Sequence, residues 1–114
     1  MEIPKKVYIG TQVWSIVQRS RTSDGMLSDE SFGYTLNKEN VIVIDSQITP
    51  SRKKQTLVHE LLHAIRFTFN NPSVPKKTED VEVWEHYFIG AYEEGLLLLL
   101  RDNPALLDYL LEKE

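Results

Sequence analysis

The N-terminal half of the chain carries short apolar runs that are typical of β-strands. Residues 6–18 are rich in β-branched and aromatic side chains around Gly10, which predicts a strand pair or one long bent strand. Residues 32–37 and 41–45 form two more runs, and the three polar residues between them suit a hairpin loop. The second run is apolar at consecutive positions, which indicates a strand covered on both faces. The polar residues 19–31 are expected to form an exposed loop.

The first helix of the C-terminal half has clear boundary signals. Thr49 can accept hydrogen bonds from the free N–H groups of a first turn, and Pro50 suits the first helical position. We therefore predict a helix from this point to about Phe69, followed by a polar connection over residues 70–78.

Two further helices are predicted after this connection. The second starts near Thr78 or Glu79 and continues to Arg101. The third is capped by Asn103, has Pro104 at its first position and extends to residue 113. Its apolar side chains should pack on the domain or on a second copy of it. Together these elements predict an α+β fold in which a small, mainly antiparallel sheet packs on the first helix, and the second helix crosses that helix.

Five consecutive leucines, Leu96–Leu100, stand near the end of the second predicted helix. Glu93, Glu94 and Arg101 lie close to this run, so it is too short for a membrane span. We interpret it as a buried helix segment or as a dimer surface, and no membrane partner is expected.

Length, charge and composition narrow the classes of function. The 114 residues suit a single domain, residues 1–114. The formal net charge of −4 disfavours a nucleic-acid partner. Since the chain contains no cysteine, a metal would have to be held by histidine and carboxylate side chains. The first ten residues lack the apolar core of a secretory signal, so the cytoplasm is the expected compartment.

The chemically informative segment is His59-Glu60-Leu61-Leu62-His63, a match to the pattern H-E-x-x-H. On a helix, residues four apart lie on one face, so the two histidines can direct their imidazoles at a single cation. Glu60 is displaced around the helix, but it can reach a water on that cation and act as a general base. The metal is predicted to be Zn²⁺, which binds neutral imidazole and carboxylate and leaves a position for water.

The alternative interpretation is a buried helix whose histidines are satisfied by hydrogen bonds. Three observations weigh against it: the helix-start signal, the apolar residues around the motif, and two of the chain's three histidines lying within five residues. From the chain's own composition, a chance match to the pattern is expected in roughly one per cent of such chains.

The segment HELLHAI, preceded by the run VIVID, resembles the small phage- and prophage-associated zinc metallopeptidases of the ImmA/IrrE type, in the gluzincin branch of the zincins. The segment RDNPAL at residues 101–106 is also similar to the C-terminal end of such proteins, and the resemblance covers residues 32–107. It implies a zincin-like fold, with His59 and His63 as zinc ligands, Glu60 as catalytic base and a glutamate of the next helix as third ligand. It also implies a protein encoded by a phage or prophage and acting in a bacterial host.

The third ligand is expected among residues 78–88, where the candidates are Glu79, Asp80, Glu82, Glu85 and His86, and we choose Glu85. A helical projection from Val81 places Glu85 at the edge of the apolar arc, where a carboxylate needs a charge partner such as zinc. Glu82 is the next choice, and His86 also remains a candidate, although it is more typical of a residue beside the metal site. The metzincin arrangement is excluded, because Phe69 stands where its third histidine would be.

Weaker candidates lie elsewhere in the chain. Asp45 could orient a ligand histidine or serve a turn, and Tyr87 and Tyr92 could steady an intermediate or belong to the core. The sequence therefore predicts a zinc-dependent hydrolase acting on a peptide or protein substrate, with Glu60 as general base. The alternative is a non-catalytic zinc-binding or interaction module of the same fold. Either one could form a homo-oligomer through the leucine-rich C-terminal helices.

Overall fold

The fold is α+β, as predicted, and was obtained as a computed structural model that describes residues 1–69 and 74–113. Residues 70–73 of the predicted polar connection lie outside the described part. The elements in chain order are β1 (Lys6–Ile9), β2 (Gln12–Arg19), β3 (Gly33–Leu36), β4 (Val41–Asp45), α1 (Pro50–Thr68), α2 (Val81–Asp102) and α3 (Pro104–Leu111).

The four strands form one mixed sheet in the order β1-β2-β4-β3. The β1–β2 and β3–β4 pairs are antiparallel, which confirms the predicted hairpin of residues 32–45 and the mainly antiparallel character of the sheet. The central β2–β4 pair is parallel and joins the two hairpins. As a result β3 lies at an edge of the sheet.

A tight turn at Gly10 separates β1 from β2. Gly10 has φ of +60°, a left-handed conformation that glycine adopts without a steric penalty. This settles the choice that the sequence left open, since residues 6–18 form a strand pair and not one bent strand.

Strand β4 is the central buried element. Ile42, Val43, Ile44 and Asp45 are all completely buried, which confirms the prediction of a strand covered on both faces. Ile42 and Ile44 belong to the main hydrophobic core with apolar residues of β1, β2 and all three helices. Helix α1 contacts β3 and β4 and follows β4 after only four residues, so its position is set directly by the core of the sheet.

The predicted start of α1 is confirmed, whereas that of α2 needs a correction. The Thr49 hydroxyl accepts a hydrogen bond from the Arg52 N–H, and α1 ends at Thr68 with Phe69 as C-cap. Helix α2 begins at Val81, two to three residues later than predicted. The reason is that the Asp80 carboxylate caps it by accepting a hydrogen bond from the Val83 N–H.

Asn103 does not cap α3 with its side chain, contrary to the prediction. Its amide instead joins β1 to the end of α2. The Tyr8 N–H donates to Asn103 Oδ1 at 2.7 Å, while Asn103 Nδ2 donates to the carbonyl oxygens of Tyr8 at 2.7 Å and Leu99 at 2.9 Å. The buried Asn103 side chain therefore connects the sheet to the C-terminal helices through hydrogen bonds.

Helix α3 packs on the domain, as predicted, through the buried side chains of Leu106 and Tyr109, and it ends at Leu111, two residues before its predicted end. Of the five leucines, Leu99 is buried, whereas Leu96, Leu97 and Leu100 are exposed. The run is thus buried only in part. Among the described helices, none has the length and apolar character required to cross a membrane.

Candidate metal centre and active site

Helix α1 presents His59 and His63 on one exposed face, one turn apart, as predicted. The His59 side chain is 69% exposed, and the two Nε2 atoms are 3.3 Å apart. The rings meet edge to face with their centroids 4.9 Å apart. Both imidazoles therefore direct the same ring nitrogen toward one point above the helix.

This separation fits a shared zinc ion. Two nitrogens at 2.0–2.1 Å from one tetrahedral Zn²⁺ lie about 3.3–3.4 Å from each other. The observed 3.3 Å matches that value without any movement of the helix. His59 and His63 thus have the spacing and the chemistry of a pair of zinc ligands.

Glu60 lies beside the histidine pair but on the buried side of α1. Its side chain is 7% exposed, and its Oε2 atom is 3.9 Å from His59 Nε2. A carboxylate is costly to bury unless hydrogen bonds or a cation compensate it. One compensating contact is present, because the Thr35 hydroxyl donates to Glu60 Oε1 at 2.8 Å. A cation held by the histidines would supply the other.

Two cavities flank Glu60 between β3 and α1. One has a volume of about 340 Å³ and extends along residues 30–33 toward Arg52 and Gln55. The other, of about 300 Å³, extends along residues 33–35 toward Asn37 and His63. His59 and Glu60 line both cavities. The motif therefore lies in the floor of a groove with the edge strand β3 as one wall.

The loop before β3 is joined to the sheet by partly buried polar contacts. The Tyr34 hydroxyl donates a hydrogen bond to the Asp24 carboxylate. This hydrogen bond is the main reason why the pKa of Asp24 is lowered. The pKa of the Tyr34 phenol is raised, mainly by burial and to a smaller extent by the hydrogen bond to Asp24. Tyr34 is therefore a neutral donor at neutral pH that holds this loop against β3.

The Asp45 carboxylate contacts the same loop and the turn that follows β4. Of the two roles that the sequence offered for Asp45, the structure shows the one in a turn. Burial opposes ionisation of Asp45. Hydrogen bonds from Arg21 Nε at 2.6 Å and from the Gln47 N–H outweigh this and hold the pKa of Asp45 below its usual value. Arg21 also donates to Asp29. The end of β4 is thereby joined to the loop whose later residues line the groove.

The structure contradicts the burial argument for Glu85. The buried side of α2 is formed by Tyr87, Ala91, Gly95 and Leu99, and Glu85 is exposed. The helical projection of the sequence did not identify the core-facing side of α2, because α2 carries apolar residues on more than one side. Among residues 1–69 and 74–113, no group of three or more histidine, aspartate or glutamate side chains has an arrangement that could hold a metal. The structure thus brings His59, Glu60 and His63 together but does not add Glu85 to them.

The other candidate site residues of α2 have contacts outside the histidine pair. His86 Nε2 lies 3.9 Å from Glu82 Oε1, and both side chains are more than 70% exposed. Tyr87 is buried, with its hydroxyl accepting a hydrogen bond from Arg66 at 3.5 Å. Tyr92 packs against the main core. These contacts give Tyr87 and Tyr92 the structural role that the sequence left as one of two options.

Two residues of β3 that contact Glu60 were missed from the sequence. Gly33 is the first residue of β3, and a glycine in a strand pattern often marks the close approach of another element, so it could have been noticed. Thr35 carried no signal, because an isolated threonine in a strand is ordinary. A larger cavity, about 970 Å³, lies elsewhere, between the N-terminal residues and the start of α1, and includes none of the motif residues.

Comparison with known proteins gives one family. Residues 17–99, which include the end of β2, all of β3, β4 and α1, and most of α2, match peptidase family M78, the IrrE N-terminal-like domain. No curated protein and no solved structure gives a significant match to the chain. The family match extends over more than two thirds of the sequence and includes the whole groove together with the H-E-x-x-H helix. The chain therefore belongs to peptidase family M78, the family of IrrE N-terminal-like domains.

Proposed function

We propose that the protein is a zinc-dependent metallopeptidase that hydrolyses peptide bonds in the groove between β3 and α1. The observation that carries this proposal is the 3.3 Å separation of His59 Nε2 and His63 Nε2 beside the buried carboxylate of Glu60. Membership of a peptidase family supports the same reaction class. His59 and His63 would hold the metal, and Glu60 would be the general base.

The division of roles follows from chemistry and burial. When bound, zinc would polarise the scissile carbonyl and make an attacking water more acidic. Glu60 accepts the proton from that water and then donates it to the leaving amine. Its low exposure limits competition from bulk solvent, and its Oε2 atom faces the same side as His59. The substrate would lie along β3 as an extended peptide, because an edge strand can add a partner strand through its backbone.

For the third ligand we propose Glu85, now without the argument from burial. Two residues after it, Tyr87 contacts Arg66, which lies three residues past His63 on α1. The N-terminal part of α2 is therefore adjacent to the C-terminal side of the motif. Glu85 is exposed and lies about 200° around α2 from Tyr87, which faces α1, so Glu85 would reach the histidines only if α2 turned about its axis when zinc binds.

The main experiment combines metal analysis with one conservative substitution. The purified protein should contain about one zinc per chain, and Glu60→Gln should retain it, because glutamine preserves shape but cannot accept the proton. Cleavage of a quenched fluorogenic peptide library should fall by about 10²–10⁴-fold in Glu60→Gln. His63→Ala, in contrast, should lose the zinc. Equal cleavage by Glu60→Gln and the parent protein would show that the assigned base is wrong.

A matched pair of variants tests the third ligand. Glu85→Ala should weaken zinc affinity in a chelator competition far more than Glu82→Ala, which removes a charge of the same sign one turn earlier on α2. If both variants bind zinc equally well, or if Glu82→Ala is weaker, Glu85 is not the ligand. The assignment of His59 and His63 would be unaffected by that result.

A second candidate function is a non-catalytic module that binds zinc or a protein partner. The observation that favours it is the amount of exposed apolar surface on α2, from the side chains Val81, Phe88, Ile89, Leu96, Leu97 and Leu100. Such surface is typical of contact with another chain, including a second copy of this one. Such a module would cleave no member of the peptide library, whether or not it binds zinc.

A further inference from the structure

Strand β3 contacts the proposed base with two residues of the same strand face. Residues two apart in a strand point to the same side, so Gly33 and Thr35 both face α1. On α1, Thr56 and Glu60 are one turn apart and both buried. The strand and the helix thus meet along a short contact that ends at the Glu60 carboxylate.

Gly33 allows this contact by having no side chain. A Cβ atom at this position would lie 2.7 Å from the Val43 carbonyl oxygen and 2.8 Å from Thr56 Cγ2, both too close. It would also reach within 3.5 Å of Glu60 Cγ. The glycine therefore lets β3 approach α1 closely enough for the Thr35 side chain to reach the carboxylate.

Thr35 gives the two oxygens of Glu60 different surroundings. Its hydroxyl is 2.8 Å from Glu60 Oε1 and 3.3 Å from the Glu60 carbonyl oxygen. A hydroxyl has one proton to donate, and the shorter contact to a charged acceptor is the stronger one. Oε1 is thus occupied by Thr35, while Oε2 is the oxygen 3.9 Å from His59 Nε2.

We propose that Thr35 is a positioning residue that orients the Glu60 carboxylate so that Oε2 faces the cation side of the groove. This inference rests on the proposed peptidase function. Without the hydroxyl, the carboxylate can rotate about its terminal torsion, a soft angle, and Oε2 loses its fixed direction. General-base catalysis depends on such placement, since a misplacement of about 1 Å can reduce a rate by roughly 100-fold.

Two variants separate orientation from packing. Thr35→Val keeps the volume and the branched shape but removes the donor, whereas Thr35→Ser keeps the donor and removes a methyl group. We expect Thr35→Val to lower kcat on the fluorogenic library by about 10- to 100-fold with little change in KM or zinc affinity. Thr35→Ser should restore most of kcat. Equal rates for Thr35→Val and the parent protein, or a failure of Thr35→Ser to restore the rate, would overturn the proposal.

A measurement independent of activity completes the test. In crystal structures with zinc bound, Glu60 Oε2 should face His59 in the parent and in Thr35→Ser but should be displaced or disordered in Thr35→Val. An unmoved Glu60 in Thr35→Val overturns the positioning role even if the parent cleaves nothing. A parent that binds zinc but is inactive, with Glu60 displaced in Thr35→Val, supports the orienting contact and refutes the peptidase function separately.

Discussion

Two glycines of α2 offer a controlled test of how α2 packs against the motif helix. Gly90 and Gly95 are both in the helix interior, where alanine is favoured over glycine by about 1 kcal/mol. An added Cβ at Gly90 would meet nothing within 4 Å. At Gly95 it would lie 2.5 Å from Ile65 Cγ2 and 2.8 Å from Phe69 Cδ2. Gly90→Ala and Gly95→Ala therefore gain the same helix propensity, but only Gly95→Ala introduces a steric clash.

Neither neighbour of Gly95 can move away easily. Ile65 is completely buried, and the Phe69 ring is close to Gly10 on another side, where a Cβ would be 2.9 Å from its Cζ atom. Overpacking of this kind costs about 1–3 kcal/mol. Gly90→Ala should therefore raise the free energy of unfolding by about 1 kcal/mol, and Gly95→Ala should be neutral or lower it by up to about 2 kcal/mol.

The assay is thermal unfolding followed by circular dichroism. For a chain of this size, 1 kcal/mol corresponds to roughly 4 °C in Tm, so the two variants should differ by about 4–12 °C. The double variant Gly95→Ala with Phe69→Leu should recover part of the loss, because leucine is smaller than the ring. If Gly95→Ala raised Tm as much as Gly90→Ala, the close packing of α2 on α1 would be refuted.

Three other predictions concern stability. Asn103→Ala should cost about 2–4 kcal/mol in urea unfolding, because three backbone groups, two of them in Tyr8, lose their partner. Asp45→Asn should cost about 1–3 kcal/mol at neutral pH, because it weakens the bond from Arg21. Since folding lowers the pKa of Asp45, its contribution is complete above the unfolded pKa near 4 and is lost as pH falls through the folded value, so parent and variant should converge in acid. Truncation after Asp102 should lower Tm or cause aggregation, since it removes the buried side chains of α3 and Asn103 itself; an unchanged Tm and association state would contradict this.

The sequence predicted the parts of this protein that depend on neighbouring residues. Short apolar runs identified β3, β4 and the strand region of residues 6–18, and the cap at Thr49 identified the start of α1. The placement of His59 and His63 on one face followed from helical geometry alone. In each case the determining interaction lies within a few residues of the element that it defines.

The predictions from sequence were wrong where contacts with other parts of the chain determine the structure. Asn103 looks like a helix cap locally, but its side chain bonds to Tyr8, which is 95 residues away in sequence. Glu85 was placed by an apolar arc, but α2 has apolar side chains such as Leu97 outside the buried face, so the arc did not identify that face. The parallel pairing of β2 with β4 is likewise invisible in the pattern of either strand.

The central parallel pair also has a consequence for the order of folding. Each antiparallel hairpin joins strands that are close in sequence, whereas the pairing of β2 with β4 must close a long loop that contains β3. Closing such a loop costs chain entropy before any contact compensates it, so non-local pairs form slowly. Helix α1 packs mainly on β4 and β3, which form one antiparallel hairpin. We therefore expect the pairing of β2 with β4 to be the last step of folding, after the β3–β4 hairpin and α1 have brought His59 and His63 to their spacing.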